Sequence, residues 1–123
     1  MLLDSNIVIY AAKPEHGVLR EFIAERGPAV SVVNYIEVLG YHRLREVERG
    51  LLEEFFRAAE VLPLTEAIVE RAVQLRQQRS ISLGDAILAA TALVHSLTLV
   101  THNTDDFNWI AKLRLHGPLG EGA

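Results

Sequence analysis

The sequence predicts an α/β sandwich built on a short, mostly parallel sheet. Two observations carry this: brief β-branched or leucine-rich runs alternate with helical segments along the whole chain, and several acids stand at or just past the ends of those runs, where parallel sheets place their sites. A third concerns organisation. There is no internal repeat, low-complexity stretch or linker, so one domain is expected over residues 1–123.

"MLLD" reads as a buried strand that feeds a short helix in "NIVIYAA", ended by Lys13-Pro14. From Gly17, the spacing of Val18, Leu19, Phe22 and Ile23 is helical until Gly27-Pro28. "AVSVV" predicts a second strand. In "NYIEVLGYHRLREVE", Ile36, Leu39, Leu44 and Val47 follow a helical stripe, with Asn34 as the cap and Glu37 in the first turn; Gly50 separates this helix from "LLEEFFRAA".

"EVLPL" is a strand that Pro63 keeps short, and Thr65 caps "EAIVERAVQLRQQR", where Ile68, Ala72 and Leu75 share a face. Ser82 begins "SLGDAILAATALVHS", apolar on most sides once past Asp85. It leads into the strand "LTLV" and, after the turn residues of "THNTDDF", a last strand at "LRL".

Composition excludes several classes. The chain is 50% hydrophobic and 23% charged, ordinary for a globular protein, and 123 residues suffice to bury about two thirds of the unfolded surface. Without cysteine, disulfides and thiolate metal sites are impossible. No basic leader precedes an apolar stretch and no run nears the roughly 18 apolar residues of a membrane span, so neither secretion nor membrane insertion is expected, and the cytoplasm is the default.

A net charge of −4 argues against nucleic-acid binding by bulk charge, so any such contact must be local. Arg43, Arg45 and Arg49 form one cationic cluster, and Arg76 and Arg79 another. The plain alternative for both is a solvated helix face.

The acids point to chemistry. Asp4 ends the first strand, Glu37 follows the second, Asp85 opens the apolar helix, and Asp105 and Asp106 follow "LTLV". Brought to about 4 Å at an effective dielectric near 20, each pair of carboxylates repels by roughly 4 kcal/mol, so a shared crevice requires protonation or a cation. Oxygen-only donors suit Mg²⁺ or Mn²⁺. His16, His42, His95, His102 and His116 show no zinc-ligand spacing, and of these only His102 falls beside the crevice. The alternatives are structural: Asp85 lies three residues after Ser82 and Glu37 three after Asn34, both at capping-box spacing, while "LDSN" and "HNTDDF" also suit polar turns.

The order of these residues resembles the PIN-domain family, most closely its VapC-type toxins, over nearly the whole chain. Asp4-Ser5-Asn6 matches an Asp-x-Asn motif after the first strand, "SVVNYIEVL" supplies the central acid Glu37, "ISLGDAILAATAL" supplies Asp85, and "THNTDDF" supplies Thr101, Asn103, Asp106 and Phe107. Ile110, Leu113 and Pro118 fit the family's closing strand.

The resemblance implies a three-layer α/β/α fold and a metal-dependent endoribonuclease, usually a homodimer, neutralised by a small VapB-like antitoxin that blocks the site. It carries over Asp4, Glu37, Asp85 and Asp106 as metal-binding, catalytic acids. Asn103 or adjacent Asp105 is an alternative for the last place, and Ser5 and Asn6 are expected to support Asp4. RNA is the implied substrate, with Arg43, Arg45 and Arg49 expected to touch it. Two other readings compete: a catalytically inactive PIN-like interaction module, and a phosphatase with Asp4 as nucleophile. The latter wants an acid two residues later, where this chain has Asn6.

Overall fold

The computed structural model describes residues 1–117. Five strands form one sheet: β1 (Leu2–Leu3), β2 (Ala29–Ser31), β3 (Glu60–Leu62), β4 (Leu99–Val100) and β5 (Leu115–His116), in the order β3-β2-β1-β4-β5. Every pairing is parallel, with Leu2 opposite both Ala29 and Leu99. Between strands run α1 (Ser5–Ala11), α2 (Gly17–Glu25), α3 (Val32–Leu39), α4 (Glu46–Ala58), α5 (Glu66–Gln78) and α6 (Leu83–His95).

The strand order determines the layers. The chain steps from β1 to β2 to β3 in one direction and then returns to the other side of β1. Because crossovers keep one hand, the helices of the first two connections pack on one face and those of the third on the opposite face. The buried residues agree with this: Leu2, Ala29, Leu62 and Leu99 pack with α5 and α6 through Ile68, Leu75 and Leu88, while Leu3, Val30 and Val100 pack with α1 to α4 through Ile7, Ile23, Val38, Leu52 and Phe56. Consecutive strand residues thus enter opposite cores, as the pleat dictates. The result is the three-layer α/β/α sandwich expected from the resemblance.

Caps set the helix starts. Thr65 Oγ1 accepts from the Ile68 N–H and Ser82 Oγ from the Asp85 N–H, as the spacing predicted. The third cap differs from expectation. Ser31, not Asn34, caps α3 by accepting from the Val33 N–H, so Val32 and Val33 are helical and Glu37 lies beyond the first turn. A serine ending a strand in extended backbone satisfies the cap three residues earlier and overrides the strand preference of the two valines.

The helix predicted from Asn34 onward also breaks in two. Its first part ends at Leu39 with Gly40 as the C-cap, where an added Cβ would lie 2.5 Å from the Ile36 carbonyl oxygen. The second part continues through Gly50 within α4. Of the apolar stripe Ile36, Leu39, Leu44 and Val47, Ile36 and Val47 are 64% and 68% exposed. The last strand forms one to two residues later than "LRL", and Pro118 lies outside the described residues.

Candidate active site

The topological switch falls at β1, whose neighbours β2 and β4 lead away on opposite sides, and the carboxyl ends of these strands open a crevice there. Its volume is about 310 Å³, and Asp4, Ser5, Asn6, Asn34, Glu37 and Asp85 line it.

Asp4 leaves β1 in extended backbone, is 8% exposed, and donates its N–H to the Val100 carbonyl at 3.0 Å. One carboxylate oxygen, Oδ2, accepts from the buried Thr101 hydroxyl at 2.8 Å. Thr101 in turn accepts from the Asn103 N–H at 3.1 Å, so one hydroxyl ties the first acid to the loop that carries the last. The sequence placed Thr101 in a motif without a role. The available signal was a hydroxyl directly after the strand that pairs with β1.

Ser5 was expected to support Asp4 and instead serves Glu37. Its hydroxyl accepts from Asn34 Nδ2 at 2.7 Å and donates to Glu37 Oε1 at 3.1 Å. A hydroxyl has one proton to give, and the first position of α1 directs it across to α3. Asn34 is buried, with its Oδ1 unpartnered. Asn6 is exposed on the crevice wall.

Asp85 stands in the first turn of α6. Glu37 reaches the start of the same helix: its Oε2 would lie in ordinary contact, 3.5 Å, with a Cβ placed on Gly84. The Asp85 carboxyl is pushed above its ordinary value, first by burial, then by the negative charge of Asp4, and further by Asp106 and Glu37; the Ser82 hydroxyl acts against this. Asp85 therefore feels all three of the other predicted acids.

The loop after β4 forms a 3₁₀ turn, Thr104–Asp106, held by Trp109 Nε1 donating to the Asp106 carbonyl at 2.9 Å and by Phe107 buried in the core. Asp105, Asp106 and Asn103 are all exposed. Of these, Asp106 is the one whose charge acts on Asp85. His102 sits edge-on to Tyr10, with its Nε2 buried and unpartnered. Arg43 lies in the loop between α3 and α4, Arg45 and Arg49 at the start of α4, all exposed, and Arg45 pairs with Glu48 at 3.4 Å.

A divalent ion is implied by the resemblance. Among the described residues no three acidic, histidine or cysteine side chains stand close enough together to hold an ion directly. The chemistry of the donors nonetheless fits a hard cation. All are carboxylates, none of the four enters a salt bridge among the described residues, and their negative charges raise the proton affinity of Asp85. An ion that keeps several of its waters, as magnesium does, needs few direct protein ligands.

A PIN domain family model matches residues 1–113. The chain is 32% identical over 122 residues to Ribonuclease VapC10 of Mycobacterium tuberculosis, covering 93% of this chain and 90% of that protein. It resembles a toxin–antitoxin complex from Klebsiella pneumoniae with a TM-score of 0.73 and 29% identity, over 95% of this chain and 96% of that one. For VapBC2 from Rickettsia felis, bound to a DNA fragment from its promoter, the TM-score is 0.78 over 94% and 96% of the two chains; at 23% identity this speaks for the fold alone. With the acids in order, the three layers and these relatives in agreement, the chain belongs to the PIN domain family, in its VapC-type branch.

Proposed function

We propose that the chain is an endoribonuclease that depends on Mg²⁺ or Mn²⁺ and forms the toxin half of a VapBC-type pair. The relatives' names supply the ribonuclease and toxin–antitoxin reading. The observation that carries the site is the gathering of Asp4, Glu37 and Asp85 in one crevice, where burial and the charges of Asp4, Asp106 and Glu37 oppose the ionisation of Asp85.

In this reading Asp4, Glu37, Asp85 and Asp106 hold the ion, with Asp105 and Asn103 flanking the fourth position. When bound, the ion lowers the pKa of a water and offsets charge on the phosphate and leaving oxygen. The protein supplies placement. Thr101 fixes the Asp4 carboxylate, and Asn34 and Ser5 fix Glu37, so two acids are oriented before substrate arrives. Hydrolysis of a phosphodiester needs an acceptor for the proton of the attacking water, a role open to a carboxylate of the crevice or to a chain of waters.

A small antitoxin covering the crevice, a homodimeric state, a cytoplasmic setting and a single functional unit over residues 1–123 belong to the same proposal. No helix of the described residues is long and apolar enough to cross a membrane. The test is incubation of the purified protein with structured RNAs, with Mg²⁺, with Mn²⁺ and with chelator, beside Asp85→Asn. Cleavage by the wild type with metal alone is expected; equal cleavage by the variant would overturn the site.

A further inference from the structure

Two cavities flank Arg114 at the β5 edge of the sheet, away from the acid crevice. One, of about 500 Å³, lies between the end of α6 and the segment entering β5, and Arg71, Lys112 and Arg114 line it beside Leu93 and Leu97. The other, of about 490 Å³, opens on the α2 side, with Phe22, Arg26, Arg114 and His116 in its walls. Among the described residues no carboxylate lines either one, in a chain whose net charge is −4. Four of its 12 lysines and arginines therefore converge on one sheet edge.

Part of this charge has a structural duty. Arg114 donates through Nη2 to the Ser96 carbonyl at the left-handed end of α6, which closes that helix. Arg71 donates to Gln74 and Arg26 lies 3.9 Å from Glu25 on the surface. Lys112 is exposed, enters no salt bridge among the described residues, and holds a left-handed backbone, φ 68°, that non-glycine residues seldom adopt.

Two flat rings lie in the α2-side cavity beside one of these cations, Arg26. The Arg26 guanidinium lies 3.8 Å from the Phe22 ring centroid, and the His116 ring stacks on Phe22 at 5.7 Å and 22°. Cations spread along an edge suit a polymer whose successive phosphates pair with them, with the exposed His116 ring available to a base. A compact anion would favour charges converging on one point. The lining residues Ser96 to Thr98 and Lys112 to Arg114 precede β4 and β5, so an RNA held here would run from the amino ends of the strands toward the acids at their carboxyl ends.

We propose that this groove around β5, built by Arg26, Arg71, Lys112 and Arg114 with Phe22 and His116, binds the phosphodiester backbone of the RNA substrate. The identity of the ligand rests on the nuclease reading above; the groove itself does not. It is a second cationic surface beside Arg43, Arg45 and Arg49, which the sequence suggested for the same contact.

Binding is read apart from cleavage. The full chain carrying Asp85→Asn is titrated with a fluorescein-labelled single-stranded RNA of mixed sequence across a range of KCl, with and without Arg26→Gln, Arg71→Gln and Lys112→Gln together. Arg114 is left intact because it closes α6. The triple variant should bind about tenfold or more weakly, and its plot of log affinity against log salt should flatten by about two units, at about 0.7 per lost single-strand phosphate contact. If the triple variant fails to fold by circular dichroism, Lys112→Gln alone carries the test, with a slope change of about 0.7.

Unchanged affinity and slope overturn the proposal, as does absence of RNA binding. A larger loss on replacing Arg43, Arg45 and Arg49 by glutamine returns the contact to α4, and displacement of RNA by polyglutamate as readily as by unlabelled RNA assigns the groove to an acidic protein segment instead. A weakened triple variant beside a wild type that never cleaves would sink the nuclease reading and leave the groove; normal metal-dependent cleavage with unchanged binding would do the reverse.

Discussion

Thr101 donates its hydroxyl to the Asp4 carboxylate at 2.8 Å across 97 positions of sequence. Both residues are buried, and the bond fixes the first acid against the strand that precedes the last. Thr101→Val keeps the shape and removes the donor. It should cost about 1–3 kcal/mol of stability, since a buried carboxylate oxygen loses its partner, and lower metal-supported cleavage about 10- to 100-fold. Urea unfolding and an RNA cleavage assay check both, and Thr101→Ser should restore most of each.

The pH dependence of stability follows from Asp85. Its folded carboxyl is raised above the ordinary 3.8, so its contribution is fully present below that value and is lost as pH rises through the folded one. In metal-free buffer Asp85→Asn should therefore match the wild type in acid and exceed it in stability at neutrality. Denaturant melts across this range test it; a variant less stable than wild type at neutral pH contradicts the proposed crowding of charge.

Ser5 controls Glu37. Ser5→Ala removes the donor to Oε1 and leaves Asn34 Nδ2 without its acceptor. Ion affinity, read as the Mn²⁺-induced rise in melting temperature, should fall about 10- to 100-fold, while Ser5→Thr, which keeps the hydroxyl, should stay near wild type.

At Gly40 any side chain meets the Ile36 carbonyl. Gly40→Ala should destabilise by about 1–3 kcal/mol in a thermal or urea melt, because backbone rather than a flexible side chain must yield. Gly50, with nothing within 4 Å of a Cβ and a mid-helix position, should respond in the opposite sense: Gly50→Ala should stabilise by about 0.5–1 kcal/mol.

Much of this architecture was readable in the amino acids. The Thr65 and Ser82 caps, the buried face of Ile68, Ala72 and Leu75, and the acids past the strand ends all rest on local spacing, which tertiary packing left unchanged. What was hidden depended on neighbours distant in sequence. Ser5 has Asp4 beside it in the chain but Glu37 beside it in space, and Asn34 has the spacing of a cap yet lies buried as a donor to Ser5. Val32 and Val33 have strand propensity, which the Ser31 cap overrides. Likewise, Arg26, Arg71, Lys112 and Arg114 are far apart in sequence and come to one edge only once β5 joins the sheet.

The Thr101 bond also sets a clock. Synthesis runs at about 5–20 residues per second, so Asp4 leaves the ribosome's active centre about 5–20 s before the residue that holds it is made. Throughout that interval the nascent chain has its first acid without its anchor and without Asp106. The first acid and the loop that anchors it therefore come together late, as one event, rather than as each strand is made.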